Sequence, residues 1–226
     1  MQLSWYGQAS FGILSDEGVR IVTDPYDPAL AGYKPFSDPA DVVIMSSDND
    51  DFHCNEHLVP KRDGARVINA LEVAQNGGVT ESHGVTFKAI QAMEHINHHL
   101  HDPDQNGMYR FVIDGIDIGH MGDMGNRLSA EQLEFFKGID VLLALSGGFP
   151  TLSLDELKEV IDTVEPKLVI PMHFRTLRYI PRDSHWISEF LTYFPDEEVD
   201  FAFSDTVTLS KAELPEKTRA LIIDYI

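Results

Sequence analysis

What most limits the architecture of this chain is its succession of short apolar runs, each of strand length and each closed by a polar or glycine-bearing loop. Leu3–Tyr6 and Phe11–Leu14 are split by Gly7-Gln8, and Val19–Thr23 returns from the turn Ser15-Asp-Glu-Gly18. Asp41–Met45, Arg66–Ala70 and Val85–Ile90 follow, with Asn76-Gly-Gly78 as a turn. Met108–Ile113 and Ile116–Gly119 flank Asp114-Gly115, a strong hairpin signal. Ile139–Leu145, Leu168–Pro171, Asp200–Phe203, Val207–Leu209 and Ala220–Ile226 complete the strand set. Helical signals come late. Ser129-Ala-Glu-Gln132 and Ser153-Leu-Asp-Glu156 are capping boxes that predict helices to about Lys137 and Val164. A third helix is predicted over Trp186–Phe194. Two series of strands with helices arriving last predict an α/β protein in which two sheets pack face to face with helices outside. With no repeat and no linker, a single domain over residues 1–226 is expected.

Charge narrows the partners. Thirty-seven acids against seventeen bases leave −20 with histidines neutral. Such a surface repels polyanions, so a small-molecule substrate is expected, with no nucleic acid and no membrane as partner. Assembly as a homo-oligomer stays open. No apolar run approaches the ~20 residues needed to cross a bilayer. The first residues carry no basic region followed by an apolar stretch, and the single Cys54 forbids an internal disulfide; a cytoplasmic location is expected.

Chemistry concentrates where strands end. Ser46-Ser-Asp-Asn-Asp-Asp-Phe-His53, Gly119-His-Met-Gly-Asp123 and Ile170-Pro-Met-His173 each bring His or Asp to a strand exit, and His95, His98, His99 and His101 crowd a fourth loop. In the predicted layout these loops leave strands at one edge and converge. Together with Thr23-Asp-Pro-Tyr26 and Ser146-Gly-Gly148, this ordered set resembles the metallo-β-lactamase superfamily, and within it the ascorbate-phosphate lactonase-like branch of small hydrolases. The resemblance runs over residues 3–210. It implies a four-layer αββα sandwich with a metal site at one edge.

The family signature is His-x-His-x-Asp-His, followed downstream by a His, a bridging Asp and a last His. Carried over, it falls on Ser47, Asn49, Asp51 and Phe52, then on His120, Asp123 and His173. Asp51, His120, Asp123 and His173 keep a ligating side chain, whereas phenylalanine cannot ligate and serine and asparagine are weak zinc ligands beside imidazole. The motif is therefore degenerate. The first metal of the family would retain only His120, while the second would retain Asp51, Asp123 and His173. Three protein donors with an open position are the minimum for a catalytic zinc, so one divalent ion is expected, zinc first, with Mn, Fe or Ni as alternatives. His53 directly follows Phe52, and a one-residue bulge would swing it inward as a replacement ligand. Cys54 is a weaker candidate.

The implied activity is hydrolysis of a lactone, ester or phosphoester by ion-activated water, with Asp51 orienting or deprotonating that water. His95, or one of His98, His99 and His101, would stabilise oxyanion charge or protonate the leaving group. Ser47 and Asn49 complete the list of pocket residues. Arg175, Arg178 and Arg182 would either line the pocket or pair with surface acids. His57, His83 and His185 are read as surface or packing residues. A metal-free member that binds a small ligand or a protein through the old cleft is the alternative reading, and a mononuclear iron dioxygenase is a third.

Overall fold

The computed structural model describes residues 1–48, 51–94 and 106–225. The first half carries β1 (Gln2–Gly7), β2 (Ser10–Leu14), β3 (Arg20–Thr23), a short α1 (Pro28–Ala31), β4 (Ala40–Met45), β5 (Lys61–Asn69) and α2 (Ala70–Gln75). The second carries β6 (Val79–Ser82), β7 (Val85–Ala92), β8 (Asn106–Ile113), β9 (Ile116–His120), α3 (Ala130–Phe136), β10 (Val141–Leu145), α4 (Leu154–Val164), β11 (Leu168–Met172) and α5 (Ile187–Leu191). Three short strands close the chain: β12 (Val199–Phe201), β13 (Thr206–Thr208) and β14 (Arg219–Ile222).

Among the described residues the strands form two sheets, in the orders β13-β1-β2-β3-β4-β5 and β12-β14-β11-β10-β9-β8-β7-β6. Each joins an antiparallel meander to a parallel half. In the first sheet the change comes at β3, which pairs antiparallel with β2 and parallel with β4. In the second it comes at β9, antiparallel to β8 and parallel to β10. The turn between β8 and β9 is the Asp-Gly pair: Asp114 and Gly115 have φ of 50° and 76°, the two left-handed positions a tight hairpin needs.

One apolar cluster is shared by both sheets. Leu3, Trp5, Phe11 and Ile13 come from the first, and Phe87, Phe111, Ile118, Leu143 and Ile170 from the second. Burying side chains of this size contributes roughly 1.5–3 kcal/mol apiece, so the facing of the sheets is the main driving force of the fold. Both capping boxes form, at Ser129 with Gln132 and at Ser153 with Glu156. They start α3 and α4, whose buried residues, Phe136 and then Leu157, Val160, Ile161 and Val164, join the same cluster. Among the described residues the longest helix is α4, and no helix is long and apolar enough to cross a membrane.

Several elements depart from the expected ones. The strand expected at Arg66–Ala70 starts earlier, at Lys61, and gives way to α2. The reason is local: the Asn69 side-chain oxygen accepts from the N–H groups of Leu71 and Glu72, and this cap starts a helix in which Ala70 is the first residue. The expected helix Trp186–Phe194 is helical only over Ile187–Leu191, because the amides of Tyr193 and Phe194 bond three residues back rather than four.

The parallel half of the second sheet sets up an edge. In β9, β10 and β11, His120 stands opposite Leu143, and Leu145 opposite Met172. The residues that follow these strands therefore emerge together at their carboxyl ends, where open α/β sheets place ligands. The carboxyl end of β4 reaches the same rim from the other sheet, with the Gly107 N–H donating to the Ser46 carbonyl (2.7 Å).

Candidate metal centre

Three side chains meet at this rim. Asp123 follows the exit of β9, and its N–H donates to the Asn106 side-chain oxygen at 3.2 Å. His173 is the first residue past β11, with φ at +64°, a left-handed conformation that costs energy for a residue with a Cβ. Its position is set from both sides. The His173 N–H donates to the Gln8 carbonyl at 2.9 Å, and Gly147 lies so close that a Cβ there would come within 2.2 Å of the His173 carbonyl oxygen. Ser146-Gly-Gly148 is thus a strand exit that lets His173 in, and Ser146 itself bonds the Met172 carbonyl. His53 comes from the loop after β4. That loop is tied to Pro25–Asp27: the Asn55 N–H donates to the Pro25 carbonyl (2.8 Å), and the Asp27 N–H to the Asp51 carbonyl (2.9 Å).

His53, Asp123 and His173 each turn one donor atom toward a common point, with these atoms within 4.8 Å of one another and all three residues buried. Asp123 Oδ1 stands 3.8 Å from His53 Nε2 and 3.5 Å from His173 Nε2. Both separations are too long for hydrogen bonds. Asp123 Oδ1 is buried and accepts no hydrogen bond from the described residues. The two imidazole rings are parallel, with centroids 5.8 Å apart and planes 1° apart. Donor atoms on an ion with tetrahedral bonds of about 2.0–2.2 Å sit roughly 3.4 Å apart, and two imidazoles with a carboxylate are an ordinary set for zinc. The residues present therefore fit a divalent ion. Burial holds the His173 imidazole below the usual histidine pKa, against the opposing charge of Asp123, so the ring stays neutral and able to coordinate.

Two more groups line the place where the three meet. The Gln8 carboxamide nitrogen lies 2.7 Å from His173 Nε2 and 3.4 Å from the Tyr179 hydroxyl. Tyr179 is buried, and burial together with the charges of Asp183 and Asp123 pushes its phenol well above its usual pKa, so it stays protonated. Phe52 is half-buried with its ring 6.4 Å from that of Tyr179. Neither Gln8 nor Tyr179 was singled out from the sequence. The one available signal was Gln8 beside Gly7 at a strand break, which reads as punctuation until the fold brings it to His173.

His120 lies outside this group, a correction to its expected role as a ligand. It is fully buried, and both ring nitrogens are engaged within the protein. Nε2 donates to the Ala9 carbonyl (2.9 Å), and Nδ1 accepts from the Gly122 N–H (2.9 Å). Its ring stacks on Tyr109 at 4.6 Å. Beside it, Asp24 is held by the Ser46 N–H (2.8 Å), the Ser46 hydroxyl (2.6 Å) and the Tyr109 hydroxyl (3.2 Å). Burial lowers the His120 pKa to about 3.

The sign of this shift gives a stability prediction. Between its folded value near 3 and the ordinary value of 6.5, the unfolded chain binds a proton at His120 that the native state does not. The stabilisation is whole above pH 6.5 and is lost as pH falls toward 3, at about 1.4 kcal/mol per pH unit for one such group. In urea melts with chelator present, His120→Gln is expected to flatten the dependence between pH 6 and 4 by about that slope. An unchanged slope would refute the burial of a neutral imidazole here.

Other expectations also shift. Asp51, expected as both ligand and base, sits exposed on a turn and is absent from the converging group, because the loop turns His53 inward instead. Ser47 is fully buried. Asn49, His95, His98, His99 and His101 lie outside the described residues. Arg175 spreads its guanidinium over Trp186 at 4.6 Å, and Arg178 and Arg182 are exposed. His57 and His83 are exposed, and His185 pairs with Glu189 at 2.5 Å.

Known proteins share this arrangement of chain. A family model described as a β-lactamase superfamily domain matches residues 2–173. A UPF0173 metal-dependent hydrolase of Thermoplasma acidophilum is 27% identical over 205 residues, covering 81% of this chain and 87% of the relative. A crystal structure from Thermotoga maritima, described as a candidate Zn-dependent hydrolase of the metallo-β-lactamase superfamily, superposes with a TM-score of 0.75 at 29% identity, covering 98% of this chain and 97% of that one. A metallo hydrolase of Ignicoccus hospitalis has the same fold at 21% identity, with a TM-score of 0.63 and coverage of 98% and 95%.

Proposed function

This chain belongs to the β-lactamase superfamily, and from that premise we propose that it is a hydrolase of small lactones, esters or phosphoesters that works with one divalent ion held by His53, Asp123 and His173. The observation that carries the reading is the convergence of His53 Nε2, Asp123 Oδ1 and His173 Nε2 in a buried rim site. The names of the relatives, metal-dependent hydrolase and Zn-dependent hydrolase, agree with it.

A single ion is favoured over two by what has become of the other position. Taking His53 as the last histidine of the family signature moves that signature one residue along the chain, onto Asp48, Asp50, Phe52 and His53. Aspartates then stand where the first two histidines would, and phenylalanine where the aspartate would. Asp48 is exposed and accepts from the Asn69 amide at 3.2 Å, and His120, the remaining ligand of the first metal, is committed to Ala9 and Gly122. Zinc suits two imidazoles and a carboxylate best, with Mn, Fe and Ni as competitors.

Held by His53, Asp123 and His173, a divalent ion would supply Lewis acidity, toward water and toward a carbonyl or phosphoryl oxygen. The protein's own groups do the rest. Asp123 would hold the ion through Oδ1, leaving Oδ2 to take up a proton. Tyr179, kept protonated by burial, offers its O–H to negative charge developing on the substrate. Phe52, its ring 6.4 Å from that of Tyr179, adds an apolar wall beside it. The strongly acidic surface disfavours polyanionic substrates. The lone Cys54, in no disulfide, accords with a reducing cytoplasm.

Protein purified without chelator is expected to carry about one equivalent of ion per chain by elemental analysis, as a single site of this kind requires. A panel of lactones, esters and phosphodiesters is expected to show turnover that chelation abolishes and Tyr179→Phe slows about tenfold or more. A protein that takes up no ion from excess zinc, manganese or iron and turns nothing over would overturn the hydrolase reading in favour of a metal-free binding module.

A further inference from the structure

The three donors of the proposed centre have a fourth neighbour, delivered by the turn between β1 and β2. Gln8 is 1% exposed and, like His173, has a left-handed backbone, with φ at +53°. The strain is held in place by its carbonyl, which accepts from Trp5 Nε1 at 3.0 Å and from the His173 N–H at 2.9 Å. Two left-handed residues locked to each other by a backbone hydrogen bond make a rigid mount for whatever their side chains do.

The Gln8 side chain runs to the atom of His173 that matters. Its carboxamide nitrogen is 2.7 Å from His173 Nε2, the same nitrogen that lies 3.5 Å from Asp123 Oδ1. The other end of the carboxamide, Oε1, is buried and has no hydrogen-bond partner among the described residues. A half-turn about the terminal torsion exchanges the two ends without moving the rest of the side chain, and the two are chemically distinct only through what they bond. An ion on His173 Nε2 takes up the lone pair at which the amide N–H is now aimed, so a loaded centre requires the carboxamide to turn.

We propose that Gln8 is the fourth protein donor of the centre, binding the ion through its carboxamide oxygen. The half-turn puts that oxygen where the nitrogen now stands, 2.7 Å from His173 Nε2. That is near the separation of roughly 3 Å between adjacent donors on a six-coordinate ion with bonds near 2.1 Å, and shorter than the roughly 3.4 Å of a tetrahedral one. The exchanged amide nitrogen then points away from the ion. The four donors, two imidazoles, a carboxylate and a neutral amide oxygen, leave any further position to water or substrate. The inference rests on the reading of His53, Asp123 and His173 as a metal site.

The test is a cobalt(II) titration of the full chain, wild type against Gln8→Ala, Gln8→Glu and His173→Ala, read by calorimetry and by the visible absorption of the bound ion, with thermal melts of the metal-free proteins as a control on folding. Gln8→Ala is expected to weaken cobalt binding about tenfold or more and to change the visible spectrum, whereas Gln8→Glu, which keeps an oxygen at the same reach and adds charge, is expected to bind more tightly than wild type. Wild-type binding that is lost in His173→Ala but unchanged or tighter in Gln8→Ala, with the spectrum preserved, would overturn the role of Gln8 alone. A wild type that binds no cobalt would overturn the centre and Gln8 together. Where Gln8→Ala does not fold, Gln8→Glu decides: tighter binding supports the oxygen ligand, and equal or weaker binding overturns it.

Discussion

His173→Ala is expected to lower the affinity for zinc or cobalt at least about 100-fold, since it removes one of the two imidazole donors from a centre built on His53, Asp123 and His173, where three strong donors are the working minimum. Even residues that only orient ligands commonly cost 10–100-fold when removed, so a direct donor should cost at least that. Loss of the buried imidazole and of its contact with the Gln8 carboxamide also costs stability, but the backbone is kept. Alanine keeps the backbone N–H that donates to the Gln8 carbonyl, and the shortened side chain no longer has to be accommodated beside Gly147. Competition against a chromophoric chelator measures the affinity, and chelator-treated urea melts measure the fold. Affinity equal to the wild type would mean that the convergence of His53, Asp123 and His173 is a packing arrangement and not a site.

His120→Ala tests the opposite role and should cost stability, not metal. The imidazole is fully buried between Tyr109 and Phe11, with ring centroids at 4.6 and 6.4 Å. Its removal leaves a cavity and strands the Ala9 carbonyl and the Gly122 N–H, the two groups it now satisfies. Large-to-small changes in a core cost about 2–5 kcal/mol, and a stranded buried polar group about 1–3. With partial relaxation, a loss of about 3–5 kcal/mol is expected from urea denaturation under chelator. The variant, where it folds, is expected to bind the same single equivalent of ion as the wild type. A fall in stoichiometry with little loss of stability would reinstate His120 as a ligand of a second ion.

The two histidines differ in how far the sequence could assign them. Both sit at the exit of an apolar strand, and both fall at places where the family pattern expects a ligand. The capping boxes at Ser129 and Ser153, the Asp114-Gly115 hairpin and the apolar runs of β10 and β11 are legible because each depends on residues a few positions apart. Helix α2 was missed because its cap, Asn69, lies at the end of a strand-like run that hides the helix start.

Local order along the chain was enough to determine the class of the fold: short runs too apolar to stay exposed and too short to span anything must pair into sheets, and two sheets with late helices leave few ways to bury them. It also raised the expectation that the metal-ligating pattern is only partly kept. Which imidazoles converge on a common point and which is held inside the core was decided only when β4, β9 and β11 met at one rim. There the loop after β4 turned His53 inward in place of Asp51, backbone groups of Ala9 and Gly122 took up both nitrogens of His120, and Gln8 came against His173 across 165 positions of sequence. The function of a nitrogen lone pair depends on the one atom nearest to it, and that atom is supplied by tertiary contact.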